Sequence, residues 1–77
     1  MKKVILFTAP KCTWCGNAKK YLKDKKIKFQ IVDVSTNKKA MRDCQNQGCR
    51  GVPVFLIGQT WVCGFDKQKI NRLLGIK

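Results

Sequence analysis

Apolar positions fall into short runs separated by polar, lysine-rich stretches, and the spacing within each run predicts an element. Val4–Phe7 is a continuous apolar run, the pattern of a strand covered on both faces. Thr8-Ala9-Pro10-Lys11 interrupts it, because Pro10 cannot continue a ladder. From Thr13 the period turns helical, with Trp14, Ala18, Tyr21 and Leu22 recurring at three- and four-residue steps in a segment that runs to Lys26. Phe29 to Val34 alternates, Phe29, Ile31 and Asp33 against Gln30, Val32 and Val34, and predicts a second strand. Ser35 or Thr36 is expected to cap a short helix through about Gln47, with Ala40, Met41 and Cys44 on one face and Gly48 as its stop. Val54–Ile57 and Thr60–Cys63 read as two more strands, and the two-residue Gly58-Gln59 link fits a tight hairpin. Asp66 opens a last helix carrying Ile70, Leu73 and Leu74, and Gly75 ends it.

The predicted order is βαβαββα, without repeat, linker or low-complexity segment. Residues 1–77 are therefore expected to form a single α/β domain. Its first two strands, joined by a helical crossover, should be parallel and the crossover right-handed. A chain of 77 residues buries only about 60–65% of its unfolded surface. At 44% hydrophobic it can still build one modest core.

Charge changes the picture in two ways. Seventeen Lys+Arg stand against four acidic residues, all Asp, and the net charge is +13. Histidine is absent, which removes Ser–His pairs, His–carboxylate dyads and His-ligated zinc. Lys19, Lys20, Lys23, Lys25, Lys26 and Lys28 belong mainly to a helix whose other face is apolar, so they read as a solvated surface. No nucleic-acid motif accompanies them, and no specific nucleic-acid partner is expected. The positive field should instead speed encounters with acidic protein partners or anionic thiols. The apolar runs are too short to span a bilayer. Met1-Lys2-Lys3 ahead of Val4–Phe7 falls short of a signal peptide, since the run is short and no small-residue cleavage site follows. A cytoplasmic protein without membrane attachment is the expectation.

Cysteines stand at 12, 15, 44, 49 and 63. An odd number without a signal peptide argues against a secreted disulfide scaffold. Cys12-Thr13-Trp14-Cys15 lies just after a strand and at the start of a helix. Positions i and i+3 approach within the roughly 4.4–6.8 Å Cα range of a disulfide. The leading cysteine also meets unpaired amides and the positive helix end, which favour the thiolate that attacks disulfides. Lys11 pushes the same way. Cys12 thus suits attack, and Cys15, inside the first turn, resolution. The competing reading is structural zinc on Cys12, Cys15, Cys44 and Cys49. Cys44 and Cys49 otherwise form a second, regulatory disulfide, or are one buried and one surface thiol without a role. Tyr21, Phe29 and Phe55 are expected in the core.

Strand, C-x-x-C and helix, then Val52-Pro53 before a hairpin, then Gly64-Phe65-Asp66 before a final helix, resemble the glutaredoxin branch of the thioredoxin superfamily. The likeness covers essentially the whole chain and is nearest to the small glutaredoxin-like redoxins of bacteria and archaea. It implies the thioredoxin fold, a four-stranded mixed sheet with helices on both faces. It implies Cys12 as nucleophile, Cys15 as resolving thiol, and Pro53 as a cis-proline. Val52, the residue before it, would offer backbone hydrogen bonds to an incoming peptide or glutathione. Gly64, Phe65 and Asp66 would receive a glutathione carboxylate at a helix start. Lys11, Thr13, Trp14 and Arg50 are further expected substrate contacts, Arg50 through a carboxylate.

The sequence departs from that family at several positions. Ala9 stands where glutathione-using members carry lysine, Thr13-Trp14 replaces Pro-Tyr, and Gly51 replaces a threonine. Cys63 and Lys67 replace a glycine and an aspartate. Cys63, brought near Cys12 by the resemblance, can exchange with substrate or bind metal, or simply fill a strand end. The activity implied is thiol–disulfide oxidoreduction on protein or glutathione mixed disulfides, by a monomer without a tightly bound cofactor. Glutathione is the implied co-substrate, and glutathione or a thioredoxin-reductase-type enzyme the electron donor. The alternative is an iron–sulfur or metal carrier using Cys12, with or without the other cysteines.

Overall fold

The structure, a computed structural model, describes residues 3–49 and 51–75; Arg50 therefore lies outside the described residues. Among the described residues the elements are β1 (Val4–Thr8), α1 (Thr13–Asp24), β2 (Gln30–Asp33), α2 (Lys38–Asn46), β3 (Val54–Ile57), β4 (Thr60–Cys63) and α3 (Lys67–Leu74), in the predicted order. The sheet runs β2-β1-β3-β4. β1 pairs parallel with β2, Leu6 opposite Ile31, and antiparallel with β3, Leu6 opposite Phe55. β3 and β4 form the antiparallel hairpin, Val54 opposite Cys63 and Ile57 opposite Thr60. This mixed sheet with flanking helices is the thioredoxin-like topology.

Two apolar clusters follow from the period of two along the strands. Val4 and Leu6 of β1, and Phe55 and Ile57 of β3, face α1 and α3, where Ala18, Leu22 and Ile70 complete a fully buried cluster. Burying a side chain such as Leu22 contributes about 1.5–3 kcal/mol. Phe7 and Val54 point to the opposite face, toward Ala40 and Cys44 of α2, with Val34 and Cys49 beside them. Phe55 is core as expected, whereas Tyr21 and Phe29 are only partly buried against the first cluster.

Three boundaries differ from the expectation, each for a local reason. α1 stops at Asp24 rather than Lys26. Lys26 turns left-handed (φ 57°), its amide bonds to Lys23 O, and that of Ile27 to Leu22 O. These paired bonds satisfy the last carbonyls and swing Ile27 back onto the core. β2 spans Gln30–Asp33 rather than residues 29–34, and as an edge strand it leaves Ile31 exposed. α2 is capped by Asn37, not by Ser35 or Thr36. The Asp33 carboxylate takes both the amide (2.8 Å) and hydroxyl (2.6 Å) of Ser35, while the Thr36 hydroxyl bonds to Asp33 O. Both hydroxyls are thereby committed to the turn, and Asn37 Oδ1 receives the Ala40 amide at 3.0 Å.

Candidate active site

β1 delivers the chain to the C-terminal edge of the sheet, where Pro10 and Lys11 turn it into α1. Lys11 holds a left-handed backbone (φ 62°), a conformation that costs a non-glycine residue about 1–2 kcal/mol. Cys12 follows as the N-cap of α1, extended at φ −102° and ψ 104°. Its sulfur accepts the Cys15 amide at 3.2 Å, so a cysteine sulfur occupies the place of the usual Ser or Asp cap oxygen. No acidic residue lies in the first turn to oppose a thiolate there. Cys12 and Cys15 are joined as a disulfide, with Cα atoms 5.2 Å apart. Cys15 is 2% exposed and Cys12 half-buried, so solvent reaches the pair through Cys12.

The segment before β3 faces that sulfur. The Val52–Pro53 bond is cis, as the resemblance implied. Val52 O lies 3.8 Å from Cys12 Sγ, where a reduced thiol can donate to it. Pro53 O accepts the Gly64 amide at 2.9 Å. Gly64 has φ 81°, a conformation that glycine adopts without steric cost, and it turns β4 toward α3. Phe65 then packs edge-on against Trp14 (6.5 Å between centroids) and Tyr21 (5.5 Å), and tilted against Phe55 (6.1 Å). The Tyr21 hydroxyl bonds to Asn71 Oδ1, fixing α1 to α3.

Trp14 is 63% exposed. With Tyr21, Phe65, Asn17, Lys20 and Lys67 it borders a groove of about 270 Å³ beside the reactive pair. The Lys67 ammonium sits 5.6 Å from the Tyr21 ring centre and 5.5 Å from that of Phe65, within cation–π range. Asp66 caps α3 by accepting the Lys69 amide at 3.2 Å, which uses one of the amides expected for a carboxylate ligand.

Val52, Pro53, Gly64, Phe65 and Trp14 thus gather around Cys12 through a continuous set of contacts. Thr13 is the exposed first residue of α1. Lys11 is exposed and precedes Cys12, but among the described residues no hydrogen bond or ion pair draws its side chain into the group. Ala9 is half-buried against the α2-side cluster.

The other cysteines require correction. Cys44 and Cys49 are not paired with each other; Cys49 is bonded to Cys63, with Cα atoms 5.2 Å apart and a sequence separation of 14. Nor is either member of the expected pair a surface thiol. Cys44 is buried and free, and Cys49 is 4% exposed. The turn ending α2 folds Cys49 inward, its amide on Cys44 O at 3.1 Å, while the hairpin register sets Cys63 opposite Val54. Burial, followed by the Asp43 charge, pushes the Cys44 thiol above its ordinary value. Among the described residues no group of three or more Cys, His, Asp or Glu is gathered to hold a metal, so the four-cysteine zinc set is not assembled.

Sequence reasoning also missed Trp61, which stacks on Phe7 at 5.4 Å and closes the α2-side cluster. Alternation within Thr60–Cys63 is the signal that would have placed it there. Among the described residues no helix is long and apolar enough to cross a membrane.

The glutaredoxin family model matches residues 4–62. An uncharacterised glutaredoxin-like 8.6 kDa protein of the rubredoxin operon of Clostridium pasteurianum is 38% identical over 72 residues, spanning 90% of this chain and 93% of its own length. A mutant of the thioredoxin-like protein BC3987 superposes with a TM-score of 0.88 at 28% identity, covering all of both chains. The glutaredoxin-like protein NrdH-redoxin from Escherichia coli gives 0.85 at 27% identity, over 92% of this chain and 93% of its own. A redox disulfide at a helix start in this fold makes the protein a thiol–disulfide oxidoreductase acting through Cys12 and Cys15. The family match takes in both cysteines and the Val52–Pro53 segment, and with the relatives it carries one conclusion: the chain belongs to the glutaredoxin family.

Proposed function

We propose that the protein reduces disulfides of partner proteins, with Cys12 as nucleophile and Cys15 as resolving thiol, and draws its electrons from a thioredoxin-reductase-type enzyme. The observation that carries the assignment is the Cys12 sulfur at the N-cap, half-exposed and held by the Cys15 amide. In the reduced protein the Cys12 thiolate attacks one sulfur of the substrate, whose other sulfur leaves and takes a proton. The Cys15 thiol then gives up its proton and attacks Cys12 Sγ. The second substrate thiol departs, and the Cys12–Cys15 disulfide keeps the balance of two electrons transferred. Val52 C=O offers the backbone acceptor for an extended substrate segment, and the Trp14–Phe65 face an apolar contact.

The choice of donor is supported by what replaces the family's glutathione contacts. Ala9 provides no lysine, and Lys67 lies over Phe65 and Tyr21 where the family has an aspartate. NrdH-redoxin, of similar fold, is described as glutaredoxin-like with a thioredoxin-like activity profile. Glutathione is then a weak alternative donor. The cytoplasm is the compartment proposed, since a reducing pool is where such a dithiol is recharged. NADPH consumption by the oxidised protein, with thioredoxin reductase and separately with glutathione plus glutathione reductase, tests the reading. Faster turnover with thioredoxin reductase is expected, and faster turnover with glutathione overturns it.

A further inference from the structure

The Cys49–Cys63 disulfide takes no part in the Cys12–Cys15 chemistry, and its two ends differ in access. Cys49 is 4% exposed within the cluster beneath α2. Cys63 is exposed at the end of β4 and borders a groove of about 510 Å³ with Gln47, Trp61, Asp66 and Lys69. Of the two residues, Cys63 is therefore the one an incoming thiolate meets, whereas Cys49 is shielded.

Position gives this bond a consequence at the active site. The loop it closes contains Val52, whose carbonyl faces Cys12 Sγ, and Pro53, whose carbonyl holds the Gly64 amide. Gly64 directly follows Cys63, and Cys49 lies three residues before Val52. Both ends of the substrate-facing segment thus converge on one disulfide. Cys44, Cys49, Gly51 and Val52 also share a small cavity of about 50 Å³, room into which a released Cys49 side chain can relax. In a reducing cytoplasm, the compartment proposed above, disulfides are more often redox-sensing than structural.

We propose that Cys49–Cys63 is a second thiol–disulfide exchange site, entered at Cys63 by a dithiol reductant, whose redox state sets the affinity of the Cys12 site for its substrate disulfide. A reductant thiolate attacks Cys63 Sγ, the S–S bond breaks, and Cys49 leaves and is protonated. The reductant's second thiol then displaces Cys63, so the pair gains two electrons and two protons and the reductant departs as a disulfide. A disulfide such as oxidised glutathione reverses the exchange through two thiol-transfer steps.

The test equilibrates the native protein across ratios of reduced to oxidised dithiothreitol, quenches it with acid, alkylates it under denaturing conditions so that buried Cys49 is reached, and maps the labelled cysteines. Cys49 and Cys63 are expected to label together, in a step that persists in the Cys12→Ser/Cys15→Ser variant. Labelling of both under oxidising conditions, resistance to reduction until the protein is denatured, or loss of the step in that variant each overturns the proposal. A second arm compares wild type, oxidised at this pair, with Cys49→Ser/Cys63→Ser and with Cys63→Ala, which removes only the exposed sulfur. KM for a peptide disulfide is expected to shift by roughly fivefold or more, with kcat on a small aromatic disulfide held. An unchanged KM in the folded variants overturns the coupling.

Discussion

The amide of Cys15 donates to the sulfur of Cys12 at 3.2 Å, so the residue proposed to resolve the mixed disulfide also holds the proposed nucleophile in place. Cys12→Ser is expected to abolish disulfide reduction, whereas Cys15→Ser retains attack and accumulates a mixed disulfide. Turnover of a protein disulfide by each variant, with intact mass of the product, checks the pair; equal residual turnover contradicts the assigned roles.

Trp14→Ala should raise KM for a protein disulfide by roughly threefold to tenfold with little change in kcat, the pattern of lost uniform binding. Steady-state kinetics on a protein and on a small disulfide separate the two, because the small one has no surface to lay on the Trp14–Phe65 face.

Asn37→Ala is expected to destabilise the fold by about 1 kcal/mol, the usual value of an N-cap. Thr36→Ala, whose hydroxyl serves only the preceding turn, should cost less. Urea unfolding midpoints of the two variants decide whether Asn37 is the cap.

How the order of elements could be read, while this cap could not, follows from the range of the forces involved. Val4–Phe7, Val54–Ile57 and the Ala18/Leu22 spacing each state locally which face is buried, and the observed elements follow them. Ser35, Thr36 and Asn37 are all good caps, and the choice among them falls to the Asp33 carboxylate, which engages Ser35 directly. The reactive pair was legible because its geometry spans one helical turn. Cys49–Cys63 was not, because it depends jointly on the turn after α2 and the hairpin register. Alternation could place Trp61 on the α2 side of the sheet but not name Phe7 as its partner, because the stack joins strands that are not neighbours in the sheet.

Asp33 also gives stability a pH dependence. Hydrogen bonds from the Ser35 hydroxyl, then from the Ser35 amide, hold its carboxyl below the ordinary aspartate value. A carboxyl so lowered stabilises the fold fully above the ordinary aspartate range and loses that contribution as pH falls through the lowered value. Urea midpoints taken from about pH 6 down to about pH 2 should therefore decline, and Asp33→Asn should flatten part of that decline. An identical slope in wild type and variant contradicts the role.

The cap of α1 is the atom that reacts. Each turnover converts the group that caps the helix from a free cysteine sulfur to a disulfide sulfur, and so changes the acceptor offered to the Cys15 amide. Folding and electron transfer are consequently two edges of one thermodynamic cycle. Whatever firms the start of α1 more in the dithiol form than in the disulfide form must, by that difference, make the disulfide form a stronger oxidant. Substitutions in that first helical turn, even those that never touch substrate, therefore tune the direction in which electrons run.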